Sequence, residues 1–260
     1  LSTLNAIQFS GVIFSMRFDR QLATAALLTL ASTLTLAVLP SMAQDAGDEG
    51  NLPSCNRRSN GNWMCVYDRQ GGEVDGSPYK SFEGSIRGGI PNGYGVLVFD
   101  NDDRYEGNVR NGVPEGKGKF VFANNDRYEG SVKKGKPDGY GMFSFGDGGS
   151  YKGSFLAGQP HGNGTHRFAG GEVFTGVFYL GQAKGQGTYR SAIGVTCSGR
   201  FFSNNMVGEG TCRYKDGTVY SGEFRKGLPE GRGVMNYPNG GRFAGEFRDG
   251  APFVPGQSQQ

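Results

Sequence analysis

A surplus of either charge is nearly absent: 27 Lys and Arg stand against 24 Asp and Glu in 260 residues, a net +3. A balance so close to neutrality is not that of a nucleic-acid binder or a polybasic membrane patch. Phosphate-cradling motifs are missing as well. Gly-x-Gly pairs such as Gly93-Tyr94-Gly95 abound, but none extends to Gly-x-Gly-x-x-Gly and no Gly-Lys-Ser/Thr occurs. No nucleotide or other cofactor is therefore expected. Histidine is limited to His161 and His166, tryptophan to Trp63, and cysteine to Cys55, Cys65, Cys197 and Cys212. The segment from Leu22 to Leu39 runs without a single charge.

That stretch reads as part of an export signal. Met16-Arg17-Phe18-Asp19-Arg20 supplies a charged start, and Pro40-Ser41-Met42-Ala43 ends in small residues where a signal peptidase cuts. Residues 1–43 are thus expected to be a signal peptide cleaved after Ala43, with 1–15 lying upstream of a start at Met16. An uncleaved anchor is the rival, although the stretch is rich in Ala, Thr and Ser and makes a weak permanent span. No Cys follows it, which argues against a lipoprotein. Cleavage would leave a mature chain of net +2. All four cysteines fall in the exported part, as suits the periplasm or the secreted space. Proximity favours the pairs Cys55–Cys65 and Cys197–Cys212, with free buried thiols as the other reading.

Glycine is what the chain has in quantity. There are 47, with no Gly-X-Y period, and 12% of the residues are aromatic, so the chain is neither collagenous nor disordered. Gly84, Gly107, Gly130, Gly153, Gly176, Gly199, Gly222 and Gly245 recur every 23 residues. A fixed period of that size marks a repeat array. Two places before these glycines stand Phe82, Tyr105, Tyr128, Tyr151, Phe174, Tyr220 and Phe243. Two places after stand Ile86, Val109, Val132, Phe155, Phe178, Phe201, Phe224 and Phe247. Polar residues alternate with them, the pattern of a strand with one buried face. A second alternating strand follows, as in Phe120 and Phe122 or Phe143 and Phe145, after a turn such as Asn111-Gly112-Val113-Pro114. Folding each hairpin about the middle of its turn sets Gly107 opposite Phe120 and Gly118 opposite Val109, each glycine leaving room for a large residue.

The expected fold is all-β: an elongated, open antiparallel sheet of tandem 23-residue hairpins, about fifteen strands and roughly 70 Å long at about 4.8 Å per strand. Residues 44–81, with Trp63 and the Cys55/Cys65 pair, would form an N-terminal cap, 82–250 the array, and 251–260 a tail. Pro252 and Pro255 would replace the second strand of the eighth unit and stop the sheet.

These eight phrases resemble the MORN (membrane occupation and recognition nexus) repeat family. The resemblance implies an array of β-hairpins that serves protein–protein assembly or contacts acidic phospholipids. Some relatives carry a separate lipid-kinase or methyltransferase domain; none is expected within these 260 residues.

No catalytic constellation emerges from the residues. His161 falls in the turn of the fourth repeat and His166 on an inner face. His166 and Cys197 would lie three strands, about 14 Å, apart, too far for a metal whose ligands stand at about 2.0–2.3 Å. Glu83, Glu106 and Glu129 follow the repeat and read as solvated. One irregularity points outward. Three places after the repeat glycine, early and late units carry Arg87, Arg110, Lys133, Arg225 and Arg248, whereas the middle units carry Leu156, Tyr179 and Phe202. In the same units the fourteenth place becomes Arg167, Arg190 and Arg213. These six residues form the candidate interaction patch; arginine stems covering exposed rings are the plainer explanation. The expected function is that of a non-enzymatic exported scaffold binding an envelope protein of unknown identity. The alternative is peripheral binding of anionic phospholipid headgroups, helped by Lys133, Lys134 and Lys136. Glycan binding along aromatic strips is disfavoured because most rings are needed inside.

Overall fold

The computed structural model describes residues 54–66 and 79–255, so the expected signal peptide lies outside the described residues. These residues fall into two compact units. The first runs to Asp147 and takes in Phe155–Gln159; the second comprises Gly148–Ser154 and the chain from Pro160 onward.

Strands β1 (Ser54–Arg57), β2 (Trp63–Val66), β3 (Tyr79–Arg87), β4 (Ile90–Phe99), β5 (Arg104–Arg110), β6 (Val113–Val121), β7 (Arg127–Lys133) and β8 (Lys136–Ser144) belong to the first unit. Strand β9 (Ser150–Leu156) is divided between the units. The second unit holds β10 (Gln159–Arg167), β11 (Val173–Tyr179), β12 (Gln182–Arg190), β13 (Thr196–Phe202), β14 (Asn205–Arg213), β15 (Val219–Arg225), β16 (Leu228–Asn236), β17 (Arg242–Arg248) and β18 (Ala251–Phe253). From β1 to β8, and again from β10 to β18, each strand pairs antiparallel with the next.

The register differs from the sequence expectation at the repeat glycines. Gly107 faces Gly118, Tyr105 faces Phe120 and Val109 faces Pro114. Glycine therefore meets glycine across every interface from β3 to β8 and from β10 to β17. One row runs Gly84, Gly95, Gly107, Gly118, Gly130, Gly141 in the first unit. A second runs from Gly164 to Gly245 in the other. A bulge after each first-strand glycine, as between Gly107 and Val109, moves the pairing from the fold-in-half register.

The ring two places earlier lies down over this row. Tyr105 is fully buried, and its hydroxyl donates to the Asn108 carbonyl at 2.8 Å. Tyr128, Tyr151 and Tyr220 do the same to Ser131, Ser154 and Glu223. Several of these rings also meet the next repeat edge-on, as Tyr128 does Phe155 at 5.2 Å and Tyr220 does Phe247 at 4.7 Å. The sixth repeat has Cys197 in the ring's place, and there the Met206 side chain covers Gly199 and Gly210. Cys197 and Cys212, directly opposed and buried, are joined with Cα atoms 4.0 Å apart. Cys55 and Cys65 are joined likewise across β1 and β2.

Burial pushes the phenols of Tyr105 and Tyr220 up to about 12. A phenol with a folded value above its unfolded value near 10 favours folding fully below pH 10, and loses that contribution as pH rises through 12. Stability is accordingly expected to be flat on the alkaline side until about pH 10 and then to fall steeply to about pH 12. The phenolate absorbance of these buried rings should rise together with loss of the circular dichroism of the sheet. Ionisation of all twelve tyrosines in a still-folded chain near pH 10 would contradict the buried, carbonyl-bonded rings.

Successive turns are stacked as well. A turn residue donates its N–H to a carbonyl of the preceding repeat: Gly112 to Pro91 at 2.8 Å and Gly135 to Pro114 at 2.9 Å in the first unit, Gly181 to Pro160 at 2.9 Å and Gly250 to Pro229 at 3.0 Å in the second, with Asn204 to Ala183 at 3.2 Å in the sixth repeat. Asp103 and Asp126, both buried, bond forward to the Ala123 and Gly146 amides.

At the C-terminal end the expected proline stop is corrected. Pro252 faces Phe247 as Pro114 faces Val109; it is the ordinary turn proline of a second strand that begins at Ala251 and ends at Phe253.

Candidate functional site

The inner face is closed by rings over the glycine rows, so the accessible chemistry lies on the outer face. Among the described residues, no three His, Cys, Asp or Glu side chains gather as a metal-ligand set, and no helix is long and apolar enough to cross a membrane. His166 is buried opposite Phe174, its ring 4.0 Å from that of Phe168.

Of the six patch residues expected from sequence, Leu156 falls in the first unit and is 44% exposed. The other five share the outer face of the second unit and separate into two groups. Tyr179 faces Gln182 and Phe202 faces Asn205, both beside hairpin turns. Arg190 faces Val173 and Thr196, and Arg213 faces Thr196 and Val219, at the far end of the same strands. Six residues of strand, about 20 Å, lie between Val173 and Tyr179. The rings and the arginines are therefore opposite ends of one face.

At the turn end the rings are strongly exposed, Tyr179 by 50% and Phe202 by 55%. Lys184 joins them: its Nζ stands 4.7 Å from the Tyr179 ring centre and 5.6 Å from that of Phe202. It sits in the β12 bulge beside Gly185, whose φ is 117°. The His161 ring lies 5.3 Å from Tyr179 on the other side. Such cation–ring contacts are worth about 0.5–1 kcal/mol at exposed sites, so they position the rings without hiding them. Leu180, next in the chain, is 49% exposed and held at φ 46°. The other turns place Gly88, Asn111, Lys134, Ala157, Ser203, Lys226 or Asp249 at this left-handed position, all smaller or polar. A bulky apolar residue at a left-handed, solvent-facing turn position is uncommon.

At the linker end Arg167, Arg190 and Arg213 are exposed. Among the described residues none of the three enters an ion pair. The first unit behaves differently. Arg104 binds Glu106 at 3.0 Å, Lys119 approaches Glu129 at 3.4 Å, and the Tyr94 hydroxyl donates to Glu106 at 3.1 Å. The Arg104 and Tyr94 hydrogen bonds hold the Glu106 carboxyl below its usual range.

Tandem β-hairpins with a glycine row, an overlying ring and a stacked turn define a repeat protein of the binding-scaffold kind. Seven consecutive windows, 82–104, 105–127, 128–150, 151–173, 174–196, 197–219 and 220–242, match the MORN repeat model; the chain belongs to the MORN-repeat family. The eighth phrase lies beyond the matched windows and forms β17 and β18. No curated protein matches the chain. Among solved structures it is similar to the SAS-4 (dCPAP) TCP domain of Drosophila melanogaster, determined in complex with a proline-rich motif of Ana2 (dSTIL). Identity is 15%, coverage is 79% of this chain and 97% of that one, and the TM-score is 0.37.

Proposed function

We propose that this protein is a non-enzymatic, exported repeat scaffold that holds another protein of the cell envelope against the turn-end rings of its second unit. The observation that carries the reading is the group Tyr179, Leu180, Lys184 and Phe202: apolar side chains presented outward beside a cation, one of them at a left-handed turn position. Exposed aromatic residues with a flanking cation are the composition of binding hot spots. Two disulfides are compatible with an oxidising compartment, and the charged start, apolar run and Ser-Met-Ala ending of residues 1–43 support export.

A photo-crosslinking residue at position 202 in the native envelope, with one at position 108 as reference, identifies the protein bound there. Against that partner, Tyr179→Ser with Phe202→Ser is expected to weaken binding at least about tenfold. The melting temperature should hardly move, because surface changes alter stability by about 0.5 kcal/mol or less. The control is Asn108→Ser with Arg110→Glu on the outer face of the first unit. Equal loss in both variants, with binding to anionic vesicles, would turn the assignment to lipid headgroups. N-terminal sequencing of the native protein should begin at Gln44; a chain still carrying residues 22–39 would make it an anchored protein.

A further inference from the structure

Three successive repeats carry the same Thr-x-Arg pattern in their second strand: Thr165-His166-Arg167, Thr188-Tyr189-Arg190 and Thr211-Cys212-Arg213. The middle residue of each is buried, which sets the threonine and the arginine on the outer face. The arginines lie on β10, β12 and β14, separated by Val173 on β11 and Thr196 on β13. Two strand spacings put them about 9.6 Å apart. In the adjoining row each threonine shares a hydrogen bond with a hydroxyl on the following strand. Thr165 meets Thr175 at 3.0 Å, Thr188 meets Ser198 at 2.9 Å, and Thr211 meets Ser221 at 3.1 Å. One arginine and one hydroxyl pair thus recur as a module three times across the second unit.

The first unit has the arginines without the rest. Arg104 and Arg127 occupy the matching row, beside Val98, Val121 and Ser144. Its adjoining row holds Glu83, Glu106 and Glu129, and Glu106 takes Arg104 into an ion pair. Arg104 is thus neutralised by its neighbouring row, whereas among the described residues Arg167, Arg190 and Arg213 enter no ion pair.

We propose that this Thr-x-Arg strip binds a linear acidic polysaccharide laid across the strands. Its carboxylate or sulfate groups would meet Arg167, Arg190 and Arg213, and its hydroxyls the paired threonines and serines. A guanidinium fork matches either anion with two parallel hydrogen bonds. Each hydroxyl pair keeps one donor and several acceptor positions after its internal bond, which suits a ligand that is itself rich in hydroxyls. One cation every ~9.6 Å along a single line fits a sparsely charged chain. A nucleic-acid strand, with one charge every ~3.4 Å, would leave most of its charge unmatched. Repetition of a weak subsite three times supplies affinity through avidity. The strip stands about 20 Å from the ring cluster, so its occupant and the protein partner are independent.

The test is calorimetric titration of the full chain with hyaluronate and with unsulfated chondroitin, each carrying one carboxylate per disaccharide, against neutral dextran. At least one acidic polymer should bind, more weakly as salt rises, and dextran should not. Arg190→Glu with Arg213→Glu should cut that affinity about 100-fold, tenfold for each reversed charge. Thr188→Val with Thr211→Val, which leaves the charge intact, should cost about tenfold. Arg104→Glu with Arg127→Glu, the matching row of the first unit, should change it by less than about twofold. Circular dichroism melting checks that all variants are folded. The proposal is overturned if neither acidic polymer binds, or if the first-unit variant loses as much as the second-unit one. Wild-type affinity in the threonine variant would also overturn it. Tighter binding to phosphatidylglycerol vesicles than to either polymer, with the same dependence on Arg190, would assign the strip to a membrane instead.

Discussion

Gly130→Ala is expected to destabilise the first unit by about 3 kcal/mol, the upper part of the range for overpacking a close-packed site. Gly130 is flanked by Gly118 and Gly141 on the neighbouring strands. A methyl group there would come to 2.5 Å from the Gly141 Cα and 2.5 Å from the Tyr128 hydroxyl oxygen. Backbone cannot retreat without breaking the ladder, and the phenol cannot lift without losing its 2.6 Å bond to the Ser131 carbonyl. Gly240→Ala is the informative comparison. Gly240 has φ 82° with nothing within 4 Å of an added methyl, so only the left-handed backbone cost of roughly 1–2 kcal/mol applies. Because long arrays can unfold piecemeal, hydrogen exchange of the β7 and β8 amides is the direct measurement. Exchange in Gly130→Ala no faster than in the wild type would contradict the glycine row.

Loss of the Cys197–Cys212 bond should cost the second unit a similar amount, about 3 kcal/mol for a loop of fifteen residues. Urea unfolding of the double variant Cys197→Ala with Cys212→Ala, against the oxidised protein, reads this directly. The sixth repeat is where such a tie has most to do. It lacks the overlying ring, and Met206, an adaptable side chain, covers its glycines in place of a flat phenol. Peptide mapping without reductant that finds both thiols alkylated would remove the bond and the prediction together.

The 23-residue period, the hairpins and the inward-facing rings were legible in the sequence because alternation and turn chemistry are local. Register was not. The bulge after each repeat glycine moves the pairing and sets glycine against glycine, and nothing in the spacing of Gly107 and Phe120 announces it. The outer face suffered from the same gap. Comparing repeats place by place sets Arg167, Arg190 and Arg213 against Val98 and Val121, which makes the middle repeats look uniquely basic. Antiparallel pairing instead sets Arg104 and Arg127 beside those valines. What distinguishes the second unit is the row alongside, hydroxyls in place of carboxylates. Lys184 went unnoticed, and His161 was read only as a turn residue, for a related reason: both lie eight places after a repeat glycine, and Lys184 falls within the bulge, where alternation no longer tells inside from outside.

The stacked turns give the array a direction. In every such bond the donor belongs to the later repeat and the acceptor to the earlier one, and the acceptor is often a proline, which has a carbonyl to offer and no N–H. A ribosome delivers the earlier repeat first. Each turn that emerges therefore finds its acceptor already in place, and at its turn the nascent edge offers a carbonyl to the repeat that follows. Assembly is templated in the order of synthesis, one hairpin at a time, and the same asymmetry lets the growing end wait in solvent for its next repeat.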